Sequence, residues 1–464
     1  MTESPTTEAV GGGSRATEAL RTAPPGGFRM FLHVLVNTAI ANITTSFLWF
    51  ALTFWIYAET RNVIATGLIG GAYMLFVSAF SMFFGTLVDR FRKKAIMVWA
   101  TVAAFSVFVV DSAFFFAVGQ EQIVDLAQPW FWIFAVVMLA GAVVAQLRSI
   151  ALSTTVTLLV PDERRAKANG LVGAAHGIGM LVTSVFSGLS VAFFGMGWTL
   201  VIGVTALAAT LLHLLPLRIP EPHILRAEQQ MHWVDIRGGW FAVRAAPGLL
   251  ALVLFTALNN VFLGVAMAVT DPYGIDLFGV QGWGLWFAVA STGFILGGIV
   301  IAARGVGTNP IRTLLLVAAA IGAVGALCAI REWGWLFVAG WWVIMALIPA
   351  VEAAEQTVIQ RVVPYERQGR VFGFAMTFEA ASGPILAVMI APLAELWVIP
   401  YMRTDAGRQQ WQWLLGTGDS RGIALIFLVA GVVCMVLALA ALLTPQYRLI
   451  SALYRNTAPA SVDD

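Results

Sequence analysis

Apolar residues along this chain gather in blocks of about 20 residues or more, separated by short charged or Gly- and Pro-containing segments. A helix of about 20 apolar residues crosses a hydrocarbon layer of about 30 Å, so each block predicts a membrane-spanning helix. Twelve can be marked. Six cover 29–57, 64–88, 95–118, 129–159, 166–192 and 197–216, and six more cover 247–270, 281–303, 311–330, 334–360, 368–397 and 421–443. Between the two sets, 217–246 is more polar. Within it Trp233, Ile236, Trp240 and Val243 recur at helical spacing beside Arg237 and Arg244, as in a helix lying on a membrane surface. The segment 1–28 is rich in Thr, Gly, Pro and Glu and has no apolar core of a signal peptide, so a disordered tail is expected there. The expected organisation is that tail, a six-helix bundle over 29–216, a linker over 217–246, a second bundle over 247–443 and a cytoplasmic tail over 444–464. The fold class is all-α integral membrane.

Composition agrees: 59% of the residues are hydrophobic and 11% charged, against roughly 45–50% and about 25% in soluble domains. A net charge of +2 offers no basic surface to nucleic acid. The placement of the basic residues says more. Of 27 Lys and Arg, 21 fall in one alternating set of connections, including Arg90 to Lys94, Arg164 to Lys167, Arg304 and Arg312, and Arg361 to Arg370. The positive-inside bias makes that set cytoplasmic, with both termini on the same side of an inner membrane.

The chain also repeats itself. Val160-Pro161-Asp162-Glu163-Arg164-Arg165-Ala166-Lys167-Ala168-Asn169-Gly170 and Val363-Pro364-Tyr365-Glu366-Arg367-Gln368-Gly369-Arg370-Val371-Phe372-Gly373 share Val, Pro, Glu, Arg and Gly at a constant offset of 203. A fainter echo links Thr38-Ala39-Ile40-Ala41-Asn42 to Thr256-Ala257-Leu258-Asn259-Asn260. Together they predict two parallel halves related by a pseudo-two-fold axis along the membrane normal, an architecture suited to alternating access.

Between the second and third spans, Gly85-Thr86-Leu87-Val88-Asp89-Arg90-Phe91-Arg92-Lys93-Lys94 resembles the G-x-L-A-D-R-x-G-R-K signature of the major facilitator superfamily, with Arg92 in place of the second Gly. The segments Ala168-Asn169-Gly170-Leu171 and Arg367 to Gly373 are similar to the branch holding bacterial multidrug exporters and the enterobactin exporter. That resemblance implies proton-driven efflux by a functional monomer, with the proton gradient as energy source and no cofactor. Helix five departs from the exporters' G-x-x-x-G-P-x-x-G-G pattern: Thr183-Ser184 replaces Gly-Pro and only Gly188 remains. The signature loop reads physically as a latch formed by Gly85, Asp89, Arg90, Lys93 and Lys94. Asp89 is suited to the N-terminus of a neighbouring helix, where the dipole favours negative charge. Glu163 and Glu366, beside Arg164 and Arg367, are the candidate acids for Arg90.

Ionisable residues inside spans cost about 2.5–3.5 kcal/mol or more at mid-helix and mark functional positions. Arg148 lies about 20 Å from the turn at Pro161, and Glu352 and Glu355 about 18 and 14 Å from Pro364, at 1.5 Å per residue. In the superfamily that this chain resembles, helices 1, 4, 7 and 10 line a central cavity. Arg148 is therefore expected to face Glu352 and Glu355 across it and to tune the carboxyl that takes up a proton. The bland alternative is a polar stripe satisfied by neighbouring helices. Glu379 is a further coupling candidate. Asn37, Asn42, Asn259, Asn260, Gln356 and Trp49 are candidates for contact with substrate, with polar or aromatic packing as the alternative. Asp111 is expected near the outer end of its helix, in reach of water. Cys328 and Cys434 and the five histidines show no metal-ligand spacing. The chain carries no P-loop, G-x-S-x-G or H-E-x-x-H, so no enzyme is expected. Export of small amphipathic compounds is the favoured reading; the alternatives are proton-coupled nutrient uptake and a non-transporting receptor on the same scaffold.

Overall fold

The computed structural model describes residues 24–60, 63–221, 248–418 and 420–457, and among them all regular structure is helical. In lipid every backbone polar group must be satisfied within its own segment, and a helix does this. The long helices are α1 (Gly27–Thr60), α2 (Val63–Arg90), α3 (Lys93–Val118), α4 (Pro129–Leu159), α5 (Asp162–Leu214), α6 (Leu249–Arg304), α7 (Pro310–Cys328), α8 (Gly334–Val362), α9 (Gln368–Leu393) and α10 (Arg421–Ala441). Pro129 and Pro310 open α4 and α7, where a missing N–H costs nothing. Among the described residues nine stretches are long and apolar enough to cross a membrane.

Two helices are too long for one crossing. At 53 residues a straight α5 would span about 80 Å, more than twice the hydrocarbon layer. It turns back at Gly195 (φ 73°, ψ 171°), between the predicted fifth and sixth spans. Ser190 and Thr199 lie on either side of the turn, and their hydroxyls are 2.8 Å apart. Likewise α6 turns at Gly279 (φ 69°, ψ 169°), after which the Trp283 indole donates to Asp271 at 2.8 Å.

Small residues let the helices pack closely. Gly203 of α5 receives Leu48 of α1, Gly141 of α4 receives Phe108 of α3, Gly293 and Gly297 of α6 lie against α8, and Gly322 of α7 meets Gly431 of α10. Two stretches outside the predicted spans are helical as well. The terminal segment over 444–464 begins as a helix, Pro445–Asn456, capped by Thr444, and its Gln446 and Ile450 pack on Gly248. The polar connection before α10 also folds, into Ile399–Arg403 and Asp405–Leu415. Both are amphipathic stretches, for which a polar average hides the apolar face. The surface helix expected around Trp233 to Val243, and most of the 1–28 tail, lie outside the described residues.

Candidate functional site

The side of the molecule carrying the basic loops is closed by a gate between the two halves. Asp89 ends α2, is 6% exposed, and accepts hydrogen bonds from the backbone N–H groups of Gly369 (2.6 Å) and Arg370 (2.9 Å). These amides open α9, where the helix dipole favours a carboxylate. Arg370 Nε lies 3.6 Å from the same carboxylate. The approach requires glycines: a Cβ at Gly85 would run into the backbone of Gly369 and Gly373, and one at Gly373 into Ser81. Lys93 is fully buried, donates to the Val88 carbonyl at 2.6 Å and lies 4.9 Å from the Tyr365 ring centroid. Burial, with the carboxylates of Glu221, Asp89 and Glu366 adding to it, holds the Tyr365 phenol well above its ordinary pKa, so it stays neutral. Glu221 accepts the backbone N–H groups of Lys93 and Lys94, both at 2.9 Å, capping α3. Arg90 is half-buried at the end of α2.

Alongside the latch runs a second set of bonds in which the 203-residue echo becomes geometric. Arg165 donates to the carbonyls of Val160 and Thr157, and Gln368, its counterpart, to those of Val363 and Gln360. Each also crosses: Arg165 reaches the Gln360 carbonyl at 3.1 Å, and Thr157 donates to Gln368 at 2.8 Å. Asn169 donates to Gln360 and Thr357, and Asp162 pairs with both Arg165 and Arg361. Glu163, Arg164, Glu366 and Arg367, the charged residues singled out in the repeat, are exposed. The half-buried acid of this loop is Asp162, one residue earlier, which together with Arg165, Gln360 and Gln368 the sequence reading missed. Their signal was the repeat itself: they flank its invariant Pro and Glu-Arg.

Beyond the gate, Ser78 of α2 still donates to the Thr377 carbonyl at 2.9 Å, while at Gly71, about four turns from Gly85 on the same face, a Cβ would meet nothing within 4 Å among the described residues. On α5, Gly170, Gly173 and Gly177 touch the second half, whereas Gly188, on that face, meets Phe54 of α1 among the described residues. Among the described residues, the polar contacts between the halves thus gather on the basic side.

Half-exposed stripes mark the cleft walls. On α4 they are Gln146, Ser149 and Ser153; on α1, Asn42, Ser46, Trp49 and Thr53; on α8, Glu352 and Gln356, each set at helical spacing. Glu352 and Gln356 lie between Pro349, which meets Gly173, and Gln360, which bonds to the carbonyl of Ser153, so they face the first half. Asn42 donates to Ser149 at 3.1 Å, Gln146 donates to the Tyr73 hydroxyl at 2.8 Å, and Trp49 rests on Tyr73 with centroids 4.8 Å apart. Glu355 turns instead toward α6 and α9, where its carboxyl lies beside that of Glu379 and near the Thr256 hydroxyl. One of its oxygens, and the side-chain oxygen of Gln356, are buried with no hydrogen-bond donor among the described residues. The side chains of Asn259 and Asn260 lie outside the described residues.

Three expectations are corrected. Arg148 does not face Glu352 across the cleft: it is 1% exposed and points into its own half, donating to Asn37 (2.5 Å), Thr38 and Thr101. Three polar side chains on α1 and α3 hold the guanidinium better than a distant carboxylate. Asn37 does not reach the cleft either; it is fully buried, and its amide donates to the Thr210 carbonyl and to His213. Asp111 is 1% exposed with neither oxygen hydrogen-bonded, on a helix face that continues into the Phe108 and Phe115 cluster, out of reach of water.

A family model described as Major Facilitator Superfamily matches residues 34–388. The chain belongs to that superfamily. Macrolide efflux protein A of Streptococcus pyogenes is 22% identical over 387 residues, covering 79% of this chain and 89% of the relative. Among solved structures, a bacterial homologue of the iron transporter ferroportin in an outward-facing state has a TM-score of 0.64 at 12% identity, covering 89% of this chain and all of that one. The human organic anion transporter MFSD10 (TETRAN) gives 0.65 at 13%, covering 89% and 100%. The proton:xylose symporter XylE gives 0.61 at 14%, covering 90% and 96%. At such identities these three share the fold alone. Membership of the superfamily makes this chain a multi-pass membrane transporter of a small-molecule substrate, and not an enzyme.

Proposed function

We propose that the chain is a proton-coupled exporter of small amphipathic compounds, drugs or siderophore-like natural products, working by alternating access between two six-helix bundles. With α5 and α6 each folded back on a glycine, the ten long helices make twelve crossings. The basic side is then the cytoplasm, both termini lie there, and the membrane is a bacterial inner membrane. The energy source is the proton gradient, without a cofactor. One chain suffices, because its pathway runs between its own halves; its partners are substrate, protons and lipid. The gate formed by Asp89 and the crossed Arg165 and Gln368 contacts holds the outward-open state and breaks in the inward-open one. Resemblance to a protein named for macrolide efflux supports export.

The observation that carries coupling is the close approach of the Glu355 and Glu379 carboxyls inside the second half. Two buried carboxylates side by side repel, so the pair is suited to holding one proton between them. The pair lies on α8 and α9, and these two helices also supply the second half's share of the gate. Displacing α9 when the gate opens therefore changes the partner with which Glu355 shares its proton. The test is reconstitution of the full chain in liposomes under an imposed pH gradient, with macrolides, other amphipathic drugs and siderophores offered in turn. A coupled substrate collapses the gradient, and Glu355→Gln and Glu379→Gln each abolish that proton movement. If both variants still drive a compound against its gradient, the reading fails.

A further inference from the structure

The helix Pro445–Asn456 follows the last span and has no part in the transport cycle described so far. Its Tyr447, Ile450, Ser451 and Tyr454 recur at i, i+3, i+4 and i+7, which puts them on one face, and the last three are buried. That face covers the basic-side ends of three helices of the second half. Ile450 and the Gln446 carbonyl lie on Gly248, just before α6. The Tyr447 hydroxyl accepts from Asn309, the residue that caps α7, at 3.3 Å. Tyr454 meets Arg361 in the last turn of α8, with the guanidinium carbon 4.3 Å from the centre of the ring. Arg361 is also where α8 reaches Asp162 of the first half. Its Nε lies 3.2 Å from one carboxylate oxygen, but makes no directed hydrogen bond among the described residues, so charge alone draws the two together. Arg165 holds the other oxygen at 2.9 Å, and its like charge repels Arg361. An arginine at a helix end, its side chain 16% exposed, could turn to water instead. What orients the guanidinium is the aromatic face on which its plane can rest.

We infer that, within the alternating-access reading on which this rests, Tyr454 is a positioning residue of the gate: its ring holds the Arg361 guanidinium where Asp162 meets it. The terminal helix is anchored on α6, α7 and α8, so Tyr454 and Arg361 travel together with the second half, and opening of the gate parts them from Asp162 without parting them from each other. The ring contact is therefore in place before the gate closes. A guanidinium already held loses less freedom when Asp162 arrives, which favours the closed gate.

The test uses the full chain in inverted vesicles, which expose the basic side, without substrate or gradient. A cysteine replaces Ser153, on the α4 wall about 12 Å in from the turn at Pro161, and is labelled with a membrane-impermeant maleimide; the native Cys328 and Cys434 are buried. Tyr454→Leu is expected to speed labelling about three- to tenfold, the range of one cation–π contact, and Tyr454→Phe to leave the rate as it is. In an Asp162→Asn background, where Arg361 has lost its partner, Tyr454→Leu is expected to add nothing. A ring that merely packed the terminal helix would act equally in both backgrounds. Tyr454→Met leaves less of a void and carries the same expectations, so it is read where thermal unfolding shows that Tyr454→Leu does not fold. An unchanged rate in these variants, an equal acceleration in the Asp162→Asn background, or acceleration by Tyr454→Phe overturns the inference. Failure of the alternating-access reading looks different: Asp89→Asn then also leaves labelling slow, whereas fast labelling by Asp89→Asn beside slow labelling by Tyr454→Leu removes only the role of Tyr454.

Discussion

Asp89 and Arg148 are both buried charges, and their surroundings give them opposite roles. Asp89 receives two amides from the other half, so its bonds exist only while the gate is closed. Asp89→Asn keeps the shape but loses charge and one acceptor. Hydrogen bonds to charged groups contribute about 1.5–3 kcal/mol, so the closed gate is expected to weaken by roughly ten- to a hundredfold. Thiol labelling of cysteines placed along the basic-side pathway measures this as faster modification. Arg148 instead joins α1, α3 and α4 within one half, so no gate contact enters its hydrogen bonds. Arg148→Met leaves Asn37 and its neighbours unsatisfied, at about 1–3 kcal/mol for a buried polar group. A lower melting temperature with unchanged substrate selectivity is expected, measured by thermal unfolding and by the panel of compounds in liposomes. A change in selectivity at full stability would place Arg148 in the cleft after all.

At the scale of elements, glycines decide where helices turn and where they touch. Gly195 occupies a region of backbone space that is open almost only to glycine, and a Cβ there meets no atom within 4 Å. The cost of Gly195→Ala is therefore backbone strain alone, on the order of 1–3 kcal/mol, and is expected as a lower melting temperature of a protein that still transports. The same reasoning separates Gly195 from Gly85, where the obstacle is the backbone of α9. Positions of turns were legible because the successive apolar blocks 166–192 and 197–216 are together too long to cross once. The amphipathic helix at Pro445–Asn456 was not, because averaging along a segment cancels its two faces.

For the whole molecule, the described polar contacts between the halves gather on the basic side, and alternating access requires that they also break. Ser78 and Thr377 are the innermost hydrogen-bonded pair described across the α2–α9 seam. Cysteines at both positions, joined by a short thiol cross-linker, are expected to stop transport, and reductive cleavage of the link to restore it. Transport that continues in the linked protein would show that the halves do not separate along this seam. Hydropathy, charge placement and the repeat were enough to predict helical spans, their orientation and two halves, because lipid burial and positive-inside bias belong to each segment by itself. The depth of Arg148, Glu352 and Glu355 could be read in the same way, as distance along a helix. Direction could not. Whether Arg148 faces a cleft or Asn37, and whether Glu355 meets an arginine or Glu379, depends on side chains that other helices bring to that depth. Pairings between residues far apart in sequence are settled only when the helices have packed.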